Sequence, residues 1–136
     1  MLAARMAGNF GYGLLVIRDS KADFRDLPDF PRRNDANQPR FLSAEDATVV
    51  RIQHGSDGDV EVRLWIDDGE AWTRPHGVVG LGQTSLSLPS GRILLCDALQ
   101  EKSVTATVTP GNYCLQIYAD ELANASAMDI LLSTRP

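Results

Sequence analysis

Few side chains of the kinds that carry catalysis or hold metals are present in this chain. It has two histidines, His54 and His76, and two cysteines, Cys96 and Cys114, all widely separated. A Ser/His/Asp or Cys/His enzyme needs a histidine beside its nucleophile, and a zinc or redox site needs closely spaced Cys and His residues. Neither pattern is present, and no GxSxG or HExxH motif occurs. We therefore expect no enzyme, no catalytic residue, no bound metal and no cofactor.

Two other motifs suggest a ligand but lack the rest of its pattern. The glycine-rich stretch Gly8–Gly13 is not followed by Lys-Ser/Thr and precedes a strand, so a phosphate loop is disfavoured and a flexible N-terminal lead is expected. The stretch Asp57–Asp59 lacks the alternating oxygen ligands of a calcium loop. A carboxylate pair for glycoside chemistry stays open, because such a pair is close in space and not in sequence.

The residues best suited to binding follow position 57. Residues 57 to 70 hold six acidic side chains and one arginine. This run forms either a solvated face or a docking face for a basic partner, since opposite charges steer association. Trp and Arg, which are enriched at protein interfaces, lie in and just after the run. The predicted partner-binding residues are Trp65, Asp67, Asp68, Glu70, Trp72, Arg74 and His76.

Strict alternation predicts the orientation of Trp65. In the segment Asp59–Asp67, four apolar residues from Val60 to Ile66 occupy every second position, and Trp65 shares the other face with charged residues. If the apolar face is the core, Trp65 faces outward. An outward Trp is either covered by a long loop or part of an interface. For residues 72–76 the alternative is an ordinary loop with one tucked aromatic side chain.

Alternation of this kind predicts eight short strands. They cover Gly13–Asp19, Ala47–His54, Asp59–Asp67, Gln83–Leu88, Gly91–Asp97, Ser103–Val108, Asn112–Ala119 and Met128–Thr134. Gly and Pro turn signals separate them, and the stretch Gly55–Gly58 predicts a hairpin. This layout is typical of an all-β, antiparallel two-layer β-sandwich or jelly roll. The length of 136 residues favours one domain over residues 1–136.

One connection is unusually long. The segment Ser20–Ala44 contains three prolines and the scattered apolar residues Phe24, Leu27, Phe30 and Phe41. It is either a surface excursion pinned by those side chains or a recognition loop, since long loops often carry binding.

The net charge and the hydropathy pattern limit which binding partners and which cellular compartment are expected. The chain has 18 acidic and 13 basic residues, a formal charge of −5, which disfavours nucleic acid and anionic membranes as partners. The apolar run Gly13–Ile17 is too short for a membrane helix or a signal peptide, so a cytoplasmic location is expected. Cys96 and Cys114 lie in predicted strands and are expected to be free thiols.

The C-terminal half resembles a known family. Residues Gln83–Cys96 read as strand, glycine turn and strand, and Ser103–Tyr118 adds a further strand and a Pro-Gly-x-Tyr that opens the next one. Over residues 83 to 132 this is similar to small bacterial proteins of the competence J type, a family described as inhibiting a DNA-entry nuclease. The resemblance implies a bacterial, cytoplasmic, non-catalytic protein that binds a protein partner.

These observations favour a non-catalytic protein-binding module of nuclease-inhibitor or immunity-like type. It would act by surface occlusion of a basic partner such as a nuclease or toxin, with the two Trp residues and Arg74 as anchors and the acidic residues steering. One alternative is a small-ligand or carbohydrate-binding β-sandwich whose exposed Trp residues stack on sugars. Another is a homodimer that buries the outward Trp and the exposed strand edges.

Overall fold

Ten strands make up the fold in the residues that the structure describes. The computed structural model of the chain describes residues 1–23, 27, 40–67, 78–121 and 124–134. The strands are β1 (Leu2–Gly8), β2 (Leu14–Asp19), β3 (Phe41–Ser43), β4 (Ala47–Arg51), β5 (Val60–Ile66), β6 (Val79–Leu88), β7 (Arg92–Asp97), β8 (Ser103–Thr107), β9 (Gly111–Ala119) and β10 (Ala127–Ser133). The predicted all-β sandwich is confirmed. No helix in the described ranges is long and apolar enough to span a membrane.

The strands form two five-stranded sheets. The first sheet has the order β1-β5-β10-β9-β6, and the second has the order β3-β4-β2-β7-β8. All neighbouring strands are antiparallel except β5 and β10, which run parallel. The eight predicted strands are all present, and β1 and β3 are additional.

The core lies between the two sheets and follows the predicted alternation. On β5, Val60, Val62 and Leu64 are buried, while the intervening residues are only partly buried. Buried Leu, Ile and Val side chains of the other strands face them, among them Leu15 and Ile17 of β2. Each such side chain contributes about 1.5–3 kcal/mol by leaving water. This burial fixes which face of the first sheet is left for the outward residues.

The predicted hairpin at Gly55–Gly58 is wrong. Strand β4 belongs to the second sheet and β5 to the first, so this turn carries the chain across the sandwich. Residues Gly55–Asp57 form one 3₁₀ turn, and the His54 Nδ1 accepts a hydrogen bond from the Ser56 N–H at 3.0 Å. The Gly-rich signal predicts a tight turn correctly, but a turn signal alone does not say whether the flanking strands pair.

The predicted flexible N-terminal lead is also wrong. Strand β1 pairs with β5 along its length, from Leu2 opposite Trp65 to Gly8 opposite Val60. Phe10, which follows β1, is fully buried in the core. The strand was hidden because it is an edge strand whose only buried side chain is Met6, so it lacks the alternation that marks the other strands.

The long connection Ser20–Ala44 is described only in part. Leu27 packs against Val16, Val49 and Cys96 on the outward face of the second sheet, and Phe41, in β3, packs against the core. Phe24 and Phe30 lie outside the described residues.

Both cysteines are free, as expected. Cys96 is buried on the outward side of the second sheet, next to Val16 and Val49, and Cys114 is on the outward side of the first sheet, because its neighbours Leu115 and Tyr113 belong to the core side. Packed sheets are about 10 Å apart, so these two thiols are beyond disulfide distance. Burial raises the pKa of the Cys96 thiol above its usual 9.0, and the nearby Arg18 opposes this only in part.

Candidate protein-binding surface

Trp65 lies on the outward face of the first sheet, near the end of β5 and one strand from the β1 edge. It is on β5, between β1 and β10, and its register partner on β10 is Leu131. Its side chain points away from the core, as predicted, and is partly buried. Leu131 is buried although it also points outward. The predicted orientation of Trp65 is therefore confirmed.

A buried carboxylate holds the Trp65 indole in place. The Trp65 Nε1–H donates to the Asp129 Oδ1 at 2.8 Å. Asp129, on β10, is only 1% exposed despite its outward position. This hydrogen bond fixes the orientation of the indole ring, because the buried carboxylate is shielded from water molecules that could take the place of the indole N–H as donor.

Arg63, which lies two residues before Trp65 on β5 and opposite Asp129 on β10, completes this network. Its Nη2 donates to the Asp129 Oδ2 at 2.9 Å, and its Nε lies 2.9 Å from the Asp129 Oδ1. Arg63 and Asp129 are therefore joined by one charge-assisted hydrogen bond and one close ionic contact, and such hydrogen bonds are stronger than neutral ones. Asp129 thus neutralises its charge on Arg63 and uses the remaining acceptor capacity of Oδ1 for Trp65.

The charges continue toward the edge of the sheet. Glu61 Oε1 lies 3.1 Å from the Arg5 Nε and 3.9 Å from the Arg63 Nε. The four charged residues Arg5, Glu61, Arg63 and Asp129 therefore alternate in sign and sum to zero. Glu61 is part of the acidic run in the sequence, but in the folded protein its charge is paired.

The acidic run does not form one patch. Asp57 and Asp59 are exposed before the start of β5, and Asp67 is exposed just after its end. Eight residues of extended chain at about 3.3 Å each place Asp59 and Asp67 about 26 Å apart. Of the predicted partner-binding residues, the structure describes Trp65 and Asp67. Asp68, Glu70, Trp72, Arg74 and His76 lie outside the described residues.

An open groove lies along β6 and β9, on the side of β10 away from β5. Its larger part has a volume of about 420 Å³ and is lined by Gln83, Thr84, Ser85, Asn112, Tyr113, Cys114 and Thr134. Its smaller part, of about 250 Å³, is lined by Gly80, Gly82, Gln83, Gln116 and Tyr118. The lining combines amides, hydroxyls and a thiol with glycine backbone and tyrosine rings, and none of these residues carries a charge. Such a groove offers hydrogen bonds to a neutral polar ligand.

The part of the chain that the structure describes was expected to hold no metal ion. Within it, no group of three or more His, Cys, Asp or Glu side chains is placed to hold a metal ion. The His54 ring bonds to Ser56, its neighbour in the turn. His76 is not among the described residues.

Asp129 and Arg63 were missed as site residues in the sequence. Asp129 carries a signal, because it is the single charged residue in the otherwise apolar or small strand Ala127–Ser133. A lone Asp at an outward position of such a strand indicates a buried or specific partner. Its partners were not predictable, since Arg63 and Trp65 are more than 60 residues away along the chain.

Two solved structures have a fold similar to that of this chain. No family model matches the chain, and no curated protein matches it in sequence. Among solved structures, ComJ from Bacillus subtilis, described as an inhibitor of the DNA-degrading activity of NucA, aligns with a TM-score of 0.71 at 12% identity, covering 99% of this chain and 98% of that one. The protein described as crocagin biosynthetic gene J aligns with a TM-score of 0.60 at 14% identity, covering 99% and 97%. The likeness to ComJ supports the competence J resemblance of the C-terminal half, and the shared fold extends over the whole chain.

Proposed function

We propose that this chain is a non-catalytic protein-binding module that inhibits a nuclease by covering its DNA-binding surface. The observation that carries the proposal is the Trp65–Arg63–Asp129 network on the outward face of the first sheet. Trp and Arg are the residues most enriched among those that dominate binding energy. A partner that meets side chains already held in one orientation loses less entropy on binding.

The chemistry of the partner follows from charge. A nuclease that degrades DNA holds phosphates with Lys and Arg, so its substrate surface is cationic. This chain carries 18 acidic and 13 basic residues, so it complements such a surface in sign. The shared fold with ComJ, which is described as a nuclease inhibitor, supports this partner class. The proposed surface also includes Asp67, Asp68, Glu70, Trp72, Arg74 and His76. A bacterial cytoplasmic location is part of the same proposal.

Inhibition of NucA tests the function directly. Degradation of a fluorescent DNA duplex by purified NucA is followed while this chain is added up to a several-fold molar excess. We expect inhibition that saturates near equimolar protein. Failure of the chain both to inhibit NucA and to bind it would contradict the nuclease-inhibitor role.

Variants then test the surface. Trp65→Ala should raise the concentration needed for half-inhibition by about ten-fold, the effect expected of a residue that dominates an interface. Trp65→Phe, which keeps an aromatic ring but removes the N–H to Asp129, should have a smaller effect. Thr105→Ala, exposed on β8 in the second sheet, is the matched control and should leave inhibition unchanged. Equal inhibition by the Trp65→Ala and wild-type chains, with both folded by circular dichroism, would exclude this surface.

The groove on β6 and β9 favours a second candidate function, the binding of a small neutral polar ligand such as a glycan. Its amide and hydroxyl lining suits the hydroxyl groups of sugars. A glycan screen read by calorimetric titration tests it, followed by Gln83→Ala, which alters a residue that lines both parts of the groove. A hit whose affinity falls in Gln83→Ala supports ligand binding, and a screen without hits counts against it.

A further inference from the structure

Two large apolar side chains are exposed next to each other at one end of the sandwich. Tyr12 is 60% exposed in the turn between β1 and β2, and Leu99 is 51% exposed in the turn between β7 and β8. The two turns touch, because a Cβ added to Gly11 would be 4.0 Å from the Leu99 Cδ1. In the described ranges, the other large apolar residues exposed to this degree are Met1 and Leu2, at the opposite end of β1. We call Tyr12 and Leu99 the turn patch.

The turn that carries Tyr12 is held rigidly from below. Gly13 N–H donates to the Phe10 carbonyl oxygen at 2.9 Å, which closes a tight turn with Tyr12 at its third position. Gly13 has φ +66°, a conformation that glycine adopts without steric cost. Phe10, at the base of the turn, is fully buried. The turn therefore presents Tyr12 to solvent from an anchored base.

The turn that carries Leu99 is held by buried polar residues. Gln100 N–H donates to the Asp97 carbonyl oxygen at 3.1 Å, so Leu99 also occupies the third position of a tight turn. The buried Asp97 accepts from the Lys102 N–H at 3.0 Å through its Oδ1. Arg18, only 8% exposed, donates from Nη2 to the Gln100 Oε1 at 3.2 Å.

Gln100 stores backbone strain in the same turn. Its φ is +58°, the one left-handed conformation of a non-glycine residue in the described part of the chain. Such residues persist only where the surroundings enforce them, and they gather at functional sites. Contacts with the buried residues Arg18 and Asp97 thus hold the loop that exposes Leu99 in its strained conformation. An exposed apolar side chain on a fixed loop is suited to binding, since little conformational freedom is lost when a partner covers it.

The charges around the turn patch indicate what covers it. Glu101, the neighbour of Gln100, is exposed. The Asn9 side chain donates to the Gly55 carbonyl oxygen and so joins the Tyr12 turn to the turn that bears the exposed acids Asp57 and Asp59. An apolar patch with an acidic rim is complementary to a cationic protein surface that has apolar or aromatic residues at its centre.

Two of the cations near this end, Lys102 and Arg51, are half-buried, whereas the acids Glu101, Asp57 and Asp59 are exposed. The Lys102 ammonium donates to the Asn9 carbonyl oxygen and lies 5.9 Å from the centre of the Phe10 ring, so it is engaged within the protein. Arg51 ends β4 opposite Leu14, close to the Tyr12 turn, and Arg40 lies one strand further away, before β3.

We propose that the turn patch, with Glu101, Asp57 and Asp59 around it, is a docking surface for a basic protein. This inference rests on the proposed function, because it names a second contact region for the same cationic partner. The patch lies at the Val60 end of β5, whereas Trp65 lies toward the other end of that strand. The two regions are therefore separable by mutation.

Binding of immobilised NucA, measured by biolayer interferometry, tests the docking surface. The double variant Tyr12→Ser, Leu99→Ser should bind about ten-fold more weakly than the unaltered chain. Thr107→Ser, exposed on β8 away from the turns, is the control and should bind normally. Both altered residues of the double variant are exposed, so we expect an unchanged melting temperature.

A matched charge pair tests the acidic rim. Glu101→Gln should lower the association rate at low salt by about two-fold, because it removes a steering charge. Glu45→Gln is the same chemical change at an exposed site in the β3–β4 turn, at the opposite end, and should have no such effect. Normal binding by the double variant would overturn the docking surface and leave the proposed function standing. Absence of binding by the unaltered chain would overturn both.

Discussion

Replacement of Asp129 gives the sharpest test of the structural account. Asp129→Ala removes the shared acceptor of the Trp65 indole and the Arg63 guanidinium, which lie 2.8 Å and 2.9 Å from it. Breaking a buried ion pair on one side typically costs about 3–5 kcal/mol. The Arg63 side chain is 31% exposed, so water recovers part of that loss. We therefore expect a decrease of about 3 kcal/mol in the free energy of unfolding, near the lower end of this range.

Asp129→Asn separates charge from shape. The amide keeps one oxygen acceptor, which can serve either Trp65 or Arg63 but carries no charge. The expected loss is about 1.5 kcal/mol, the value typical of a hydrogen bond to a charged group. The control is Asp59→Asn, an exposed carboxylate without a side-chain bond in the described residues, for which a change within about 0.5 kcal/mol is expected.

Urea unfolding followed by circular dichroism measures these losses, with equal m-values required for all variants. Fluorescence of Trp65 in a Trp72→Phe background reports the indole environment independently. Both Asp129 variants should shift its emission, because the N–H loses its fixed acceptor. A loss below about 0.5 kcal/mol for Asp129→Ala, with unchanged emission, would refute the idea that Asp129 positions Trp65.

Three further predictions address the fold. In the native protein, Ellman's reagent should modify Cys114 and leave Cys96 unmodified. The reactive species is the thiolate, and burial raises the pKa of the Cys96 thiol, which lowers its thiolate fraction. A Cys114→Ser variant that still reacts rapidly would contradict this. Phe10→Ala should lower stability by about 3–5 kcal/mol in urea unfolding, and a flexible N-terminus would instead show almost no change. Gly91→Ala should lower the melting temperature, because φ is +73° and its Cβ would be 2.8 Å from the Val108 carbonyl oxygen, and an unchanged melting temperature would refute the crowding.

Strand identity and orientation could be predicted because period two is a local property. On β5, apolar residues at every second position are sufficient to assign Val60, Val62 and Leu64 to the core and Trp65 to the outer side. The same reasoning fails on β1, where Met6 is the only buried side chain and the strand is recognisable only by its pairing with β5.

Pairing between distant strands could not be predicted. The site depends on β5 lying parallel to β10, which brings Trp65 and Arg63 to Asp129 although more than 60 residues separate them. The Gly55–Gly58 signal actively suggested a different neighbour for β5, namely β4. Turn chemistry is decided within four residues, whereas strand order is decided by how the whole core packs. For this reason the sequence indicated Trp65 but not Asp129, which binds it, nor Arg63, which pairs with Asp129.

The affinity of this chain for NucA, compared at about 50 mM and about 200 mM salt, is the decisive measurement of the proposed function. We expect a complex that weakens as salt rises, because acidic and cationic surfaces meet in it, and that weakens about ten-fold more when Trp65 is replaced by Ala. No complex at the lower salt concentration, or a complex indifferent to both salt and Trp65, would contradict this expectation.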